Sequence, residues 1–353
     1  MTSNAQANKP KRKWLKRLII IAAIILIIPI VFGFIIDIHP QLLIGLFQGY
    51  QNQNFFEPRN GATPGRSTKE NGIVYLNDIK YADEYPNSYL DISYPNEKVE
   101  EVRPTFIYIH GGGFFGGDKA MGDPLAANND SNYLFDSIVL EGYNLVNMNY
   151  ALVPQYRFPT PEIQLNQAIK FLKEHADEYH LDMTNVTIMG QSGGAVMTAQ
   201  YGAIISNPDY AKLYHITPEL RVDDVKCLII DDAPLVFDHF DRNGKRLLGN
   251  FISGNSFPSK EKKDMYNPIG YVNDNYPTAF VIGNNYNGNG YAYDMEQLFD
   301  KLEDCGVKCA FFYDKYENGT EPGHGYLSDL KNDKLAQKCY AAMIEFLKKV
   351  KNE

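Results

Sequence analysis

Two glycine-rich turns, each placed directly after an apolar run, constrain the fold of this chain more than any other feature. The first run, Thr105–Ile109, leads into the tetrapeptide His110–Gly113. The second run, Val186–Met189, leads into Gly190–Gly194, a G-x-S-x-G turn with Ser192 at its centre. A short apolar run that ends in such a turn predicts a buried strand and a tight connection, which only small flanking residues permit.

The same two turns point to acyl transfer by a serine nucleophile. The second turn lifts Ser192 onto a sharp strand-to-helix bend. The first turn supplies backbone N–H groups that can hold a developing oxyanion. A G-x-S-x-G match alone is weak, because Gly and Ser are common in loops. Here a predicted strand precedes it, a predicted helix follows it, and His324 comes late in the chain within Pro322–Tyr326. This combination is specific.

Strand-like runs alternate with helical runs along residues 72–349. The alternation predicts an α/β fold with a mostly parallel, eight-stranded sheet and helices on both faces. Active sites in such sheets lie at the carboxyl ends of the strands, where both turns fall. The predicted strands are Gly72–Leu76, Ser88–Tyr94, Thr105–Ile109, Tyr143–Tyr150, Val186–Met189, Cys227–Ile230, Thr278–Ile282 and Cys309–Tyr313. The predicted helices are Asn132–Glu141, Pro161–Tyr179, Gly194–Ser206, Met295–Leu302 and Asp333–Lys349.

The stretch Asp231–Asn275 is too long for a simple crossover between strands. We expect it to pass over the active site and to contribute to substrate selection.

The chain resembles the α/β-hydrolase superfamily, specifically the carboxylesterase and acetyl-esterase group related to hormone-sensitive lipase. In that group, a tyrosine-leucine-proline stretch and a phenylalanine-proline pair follow the fourth strand in the same way. The motifs that carry the resemblance are His110–Phe114, Gly117–Lys119, Asn149–Pro154, Arg157–Pro159 and the turn around Ser192.

The resemblance covers roughly residues 73–350 and implies roles for individual residues. It implies Ser192 as the nucleophile and His324 as the general base. It also implies an oxyanion hole made of the N–H groups of Gly112, Gly113 and Gly193. No group of His and Cys residues has zinc-ligand spacing, so we expect neither a metal nor a cofactor.

The acid of the triad is the point at which this chain departs from that group. The group usually has a Gly-x-x-Asp turn after the penultimate strand, whereas the turn after Ile282 contains no carboxylate. We place Asp294 in this role, displaced by a longer loop. Asp231 or Asp232, at the end of the preceding strand, is an alternative. In a third alternative, an asparagine such as Asn287 holds the imidazole, or nothing does.

The N-terminal segment has the pattern of a membrane anchor. A basic cluster precedes an uncharged apolar run over residues 18–36, close to the roughly 20 residues that a span needs. We predict a cytoplasmic tail at 1–17, an uncleaved signal-anchor at 18–36, a stalk or linker at 37–70 and the hydrolase domain at 71–353. A cleaved signal peptide is less consistent, because its apolar region is shorter and ends in a small-residue cleavage site. The positive-inside bias predicts a single-pass protein of the cell membrane with an extracytoplasmic catalytic domain.

The bulk charge restricts the partners. The net charge is -9 and the isoelectric point is about 5.4, which argues against nucleic acid because phosphate binding needs a basic face. The four cysteines are too few for a disulfide framework. We expect Cys227 to be a buried thiol. Cys309 is positioned to pair with Cys305 or Cys339, and the sequence does not choose between them.

These observations predict a serine hydrolase that acts on small carboxylic esters, with either a short-chain acyl group or an O-acetyl group on a sugar, through an acyl-enzyme intermediate. The competing prediction is a catalytically weak or inactive surface module of the same fold that binds a ligand or partner. The missing aspartate is the chief support for such a binding module. The retained serine, histidine and glycine turns count against it.

Overall fold

The computed structural model describes residues 9–51, 64–126, 128, 130–284 and 291–351. Within these ranges, nine strands form one sheet in the order β1-β2-β3-β5-β4-β6-β7-β8-β9. The strands are β1 Gly65–Thr68, β2 Val74–Lys80, β3 Tyr89–Tyr94, β4 Arg103–Ile109, β5 Asn144–Met148, β6 Leu181–Gln191, β7 Val225–Asp231, β8 Ala279–Ile282 and β9 Cys309–Phe312. Strands β2 to β9 correspond to the eight predicted strands, and β1 is one more than the sequence predicted.

The sheet is antiparallel at its N-terminal edge and parallel elsewhere. Neighbouring strands from β1 through β2 and β3 to β5 run antiparallel. All pairs from β5 through β4, β6, β7 and β8 to β9 run parallel. The central strands are apolar and almost entirely buried, as expected of a sheet covered on both faces.

The register of the parallel strands brings four chain segments to one edge of the sheet. Ile109 pairs with Gly190, Gln191 with Asp231, and Asp231 with Ile282. The turns that follow β4, β6, β7 and β8 therefore begin side by side, where ligands bind in open α/β sheets.

Helices cover both faces of the sheet, as predicted. One hydrophobic cluster includes buried residues of α4, α6, α7 and α8, and a second includes those of α3 and α11. The helices in the described ranges are α1 Lys9–Ile38, α2 Gln41–Gln51, α3 Ser131–Leu140, α4 Thr160–Glu174, α5 Ala176–Tyr179, α6 Gly193–Ser206, α7 Pro208–Tyr214, α8 Arg242–Ser253, α9 Lys260–Tyr266, α10 Tyr291–Asp304 and α11 Lys334–Lys351.

Helix α1 is long and apolar enough to cross a membrane. An 18-residue window within its segment Lys13–Ile38 has a mean hydropathy of 3.3, and almost all of that window is exposed. The segment 37–70, predicted as a stalk, contributes α2 and β1 to the folded domain in its described parts. Helix α2 packs through Ile44, which is 1% exposed, and β1 pairs with β2 along four residues. The sequence missed both, because a single buried face on an otherwise apolar helix and a short polar edge strand leave little periodic signal.

The excursion after β7 contains α8 and α9 and reaches the glycine turn after β4, as expected for a segment that passes over the site. Phe251 of α8 stacks on Phe114 with ring centroids 3.6 Å apart. The four cysteines are free thiols, and Cys227 is fully buried as predicted.

Candidate active site

Ser192 occupies a strained turn between β6 and α6. Its φ is +54° and its ψ is -116°, a backbone conformation that residues other than glycine rarely adopt. The turn closes because Gly190 and Gly194 have no side chains. A Cβ atom on Gly190 would collide with the carbonyl of Gly194, and one on Gly194 would collide with the carbonyl of Ile109. The Ser192 N–H donates to the Asp231 carbonyl at 2.8 Å, so the turn is tied to the end of β7.

The glycine turn after β4 lies against the start of α6. Gly112 and Gly113 both have positive φ, at +103° and +58°. The Phe114 ring that follows them lies within 3.4 Å of the position of a Cβ on Gly193. The structure therefore brings together the three glycines, Gly112, Gly113 and Gly193, that the sequence assigned to an oxyanion hole.

His110 supports this turn from inside the core. It is fully buried, its Nδ1 donates to the Gly111 carbonyl at 2.7 Å, and its ring stacks on Tyr150 at 4.3 Å. Burial lowers the pKa of His110, so it stays uncharged near neutral pH. These contacts anchor the loop that carries the glycine turn.

His324 reaches the site from the loop between β9 and α11, and it is 6% exposed. Its Nδ1 donates a short hydrogen bond to Oδ2 of Asp232. The backbone N–H of Gly325 lies 3.4 Å from the same oxygen. The amide of Gln191, next to Ser192, donates to the Gly325 carbonyl at 3.4 Å, which links the serine and histidine loops.

The carboxylate on Nδ1 of His324 is therefore that of Asp232, and the placement of Asp294 in this role is wrong. Asp294 is fully buried elsewhere: its Oδ1 accepts from Nδ1 of His239 at 2.6 Å. Its Oδ2 accepts from the N–H groups of Leu235 and Val236 at 2.7 and 2.9 Å. Burial raises the pKa of Asp294 to about 6, although these donors oppose the shift. Asp294 thus holds the loop after β7 in place.

Asp231 precedes Asp232 in the chain, but its side chain has a different partner. Its Oδ2 accepts from the amide of Gln191, 3.0 Å away. Burial, and then the nearby charge of Asp232, raises the pKa of Asp231 to about 8, so its carboxyl group is mostly neutral at pH 7. Asn287, which the sequence also left as a candidate partner for His324, lies outside the described residues.

Two residues of the site escaped the sequence reasoning. Asn284, directly after β8, is fully buried and donates from Nδ2 to Oδ2 of Asp232. Asp123 is fully buried, with its Oδ2 3.5 Å from Nε2 of His324. A Cβ atom on Gly111 would collide with that same oxygen. Two features of the sequence could have pointed to them. Asn284 lies in the turn that usually contains the triad aspartate, and Asp123 lies just after the Gly117–Lys119 motif.

Comparisons with known proteins are consistent with this geometry. A family model described as BD-FAE matches residues 90–287, which include Ser192 and Asp232. Arylacetamide deacetylase of Oryctolagus cuniculus is 33% identical over 33% of this chain and 28% of its own length. Ethyl acetate hydrolase of Pseudomonas putida is 29% identical over 36% of each protein. The chain thus spans about a third of the length of these curated relatives.

Among solved structures, an inhibited form of esterase B from Lactobacillus rhamnosis superposes with a TM-score of 0.66. It is 14% identical, and the match covers 81% of this chain and 89% of that one. At this identity the likeness establishes a shared fold.

Proposed function

The chain belongs to the BD-FAE family, within the α/β-hydrolase esterases, and from that premise we propose that it is a serine hydrolase of small carboxylic esters. The observation that carries the proposal is the pairing of Asp232 with His324 at the strand ends where Ser192 forms its strained turn. A carboxylate on Nδ1 holds the imidazole in the tautomer whose Nε2 can accept a proton.

The proposed reaction proceeds in two acyl-transfer steps. Nε2 of His324 takes the hydroxyl proton of Ser192 while Oγ bonds to the ester carbonyl carbon. The N–H groups of Gly112, Gly113 and Gly193 stabilise the oxyanion of the tetrahedral intermediate. The bond to the alcohol oxygen then breaks, and the imidazolium gives its proton to the leaving alcohol. Water repeats the sequence on the acyl-enzyme and releases the carboxylic acid.

A short acyl group, with acetyl as the first candidate, is the proposed acyl specificity. The names of the two relatives, arylacetamide deacetylase and ethyl acetate hydrolase, concern acetyl groups. The alcohol part of the proposed ester is either a simple alcohol or a sugar hydroxyl. Rates on nitrophenyl acetate, butyrate and octanoate, and on acetylated sugars, test both choices.

The competing hypothesis of a binding module loses its main support. It rested on the absence of an aspartate for His324, and Asp232 occupies that place. We therefore keep the esterase as the proposed function.

The proposed location is the membrane, with α1 as a single-pass anchor and the hydrolase domain outside the cytoplasm. The apolar segment Lys13–Ile38 and the basic cluster before it support this orientation. The proposed partners are the bilayer and a small-molecule ester, and the acidic net charge argues against nucleic acid. A membrane-impermeant thiol reagent should label Leu140→Cys, an exposed site, in intact cells more strongly than it labels the wild type, whose free cysteines are buried or half-buried.

A fluorophosphonate probe tests the enzymatic proposal directly. The full chain in detergent should be labelled, and Ser192→Ala should not. Ser206→Ala, at the other end of α6, is the matched control and should be labelled like the wild type. Absence of labelling in a folded wild-type protein would remove the proposal and restore the binding-module hypothesis.

A further inference from the structure

Helix α2 connects the candidate membrane helix to the glycine turn of the active site. Two residues separate it from the end of α1. One face packs on the domain through Ile44 and Gln48, which are both buried. The Gln48 amide donates to the carbonyl of Phe115 at 3.1 Å and to that of Val153 at 2.8 Å. Because Phe115 is two residues after Gly113, α2 lies directly on the proposed oxyanion loop.

The opposite face of α2 is apolar and exposed. Leu42 and Leu46 are 53% and 72% exposed. They are four residues apart and share one side of the helix, while Ile44 and Gln48 lie on the other side. One face of α2 is therefore buried in the domain, and the other exposes leucines. Such an exposed apolar face is typical of a helix that contacts a second apolar surface.

Hydrogen bonds between the end of α1 and the domain fix the direction in which α1 extends away from the domain. Asp37, at the end of α1, accepts from Arg242 at 2.6 and 3.2 Å and from Arg246 at 2.8 Å. Arg246 also donates to the Gly33 carbonyl at 3.2 Å, and Ser256 donates its N–H to the Asp37 carbonyl at 2.8 Å. These contacts attach the helix end to α8 and to the turn that follows it.

The same junction carries groups suited to a lipid headgroup layer. Arg242 is largely exposed on α8 beside the end of α1. Phe257, the neighbour of Ser256, is 61% exposed. Aromatic side chains and cations at the end of an apolar span are the side chains found where a bilayer meets water.

We propose that α2 is an interfacial helix whose exposed face, Leu42 and Leu46, lies in the headgroup region of a phospholipid bilayer together with Phe257. This inference rests on the membrane anchorage under the proposed function. It places the oxyanion loop about 10 Å, one helix diameter, from the lipid surface. The substrate that this arrangement favours is an ester resident at the membrane surface, such as an amphiphile with a short acyl group.

The chain's single tryptophan, Trp14, allows a clean test. The full chain is reconstituted in phosphatidylcholine vesicles that contain lipids brominated high on the acyl chain, which quench nearby tryptophan. Leu46→Trp is made in a Trp14→Phe background. The control is Leu140→Trp in the same background, because Leu140 is also exposed but ends α3 on the opposite face of the sheet. Fluorophosphonate labelling of Ser192 checks that each variant is folded.

We expect Leu46→Trp to lose most of its emission to the brominated lipids and Leu140→Trp to keep its emission. If Trp14 of the wild type is quenched but Leu46→Trp is not, the interfacial helix is excluded while the membrane anchor stands. If Trp14 itself is not quenched, the membrane anchorage fails and the inference fails with it. Both negative results leave the esterase proposal intact.

Discussion

Asp232 places Oδ2 against Nδ1 of His324 from the turn after β7, one strand earlier than the turn that usually supplies the acid. Asn284, in the turn after β8, donates from Nδ2 to the same oxygen. The two turns are adjacent because β7 and β8 pair with Asp231 opposite Ile282. Side chains from both turns therefore meet at the carboxylate that holds His324.

We predict that Asp232→Asn lowers kcat by about 10³- to 10⁴-fold on nitrophenyl acetate, because an amide favours the wrong tautomer of His324. Asp231→Asn is the matched control from the adjacent position. It should keep kcat within a few fold, since the raised pKa already leaves Asp231 mostly neutral at pH 7. Asp294→Asn should also keep most of its kcat, because its partners are His239 and the loop after β7. A large loss of kcat in Asp294→Asn alone would show that Asp294 is the acid of the triad.

We predict that Asn284→Ala lowers kcat by roughly 10- to 100-fold with little change in KM, because a hydrogen bond to a charged group contributes roughly 1.5–3 kcal/mol. Asn284 acts on the reaction only by holding Asp232 in place. Double-mutant kinetics with Asp232→Asn check this: the second substitution should add almost nothing once Asp232 is gone. Additive losses would show that Asn284 acts independently of Asp232.

We predict that Glu162 makes the fold less stable as the pH rises. Burial raises the pKa of Glu162 to about 8, so between its unfolded pKa and pH 8 the folded protein holds a proton that the unfolded chain releases. The free energy of unfolding then falls by about 1.4 kcal/mol per pH unit across that window. Glu162→Gln should reduce this slope by the contribution of Glu162 in thermal unfolding of the detergent-solubilised chain, while that of buried Asp231 remains.

The control for that prediction is Glu174→Gln, at the exposed end of the same helix. Its unfolding temperature should follow the pH as the wild type does. Equal slopes for Glu162→Gln and the wild type would show that Glu162 is already ionised in the fold.

We predict that Gly190→Ala abolishes fluorophosphonate labelling and destabilises the domain by roughly 3 kcal/mol or more, because the new Cβ meets backbone rather than a movable side chain. Gly270→Ala is the matched control, since nothing lies within 4 Å of its Cβ position. Labelling of both variants at the wild-type rate would contradict the tight turn around Ser192.

The strands and the two glycine turns were predictable because their causes are local. Apolar runs such as Val186–Met189 show which segments are buried, and the glycines around Ser192 show where only a missing side chain lets the backbone turn. All eight predicted strands are present. Helix α2 and strand β1 were not predictable, because what makes them part of the domain is contact with distant segments, as when Gln48 donates to Phe115 and Val153.

By itself, the sequence determined the fold class, the chain order of Ser192 and His324, and the turns that could hold an oxyanion. Each of these follows from residues that are neighbours along the chain. Only the tertiary structure decided between the candidate acids. Asp232 and Asp294 are chemically identical carboxylates, and what separates them is which strand end pairs beside the loop of His324. A side chain's partner across the sheet depends on strand order and register, and the residues next to that side chain in the sequence determine neither.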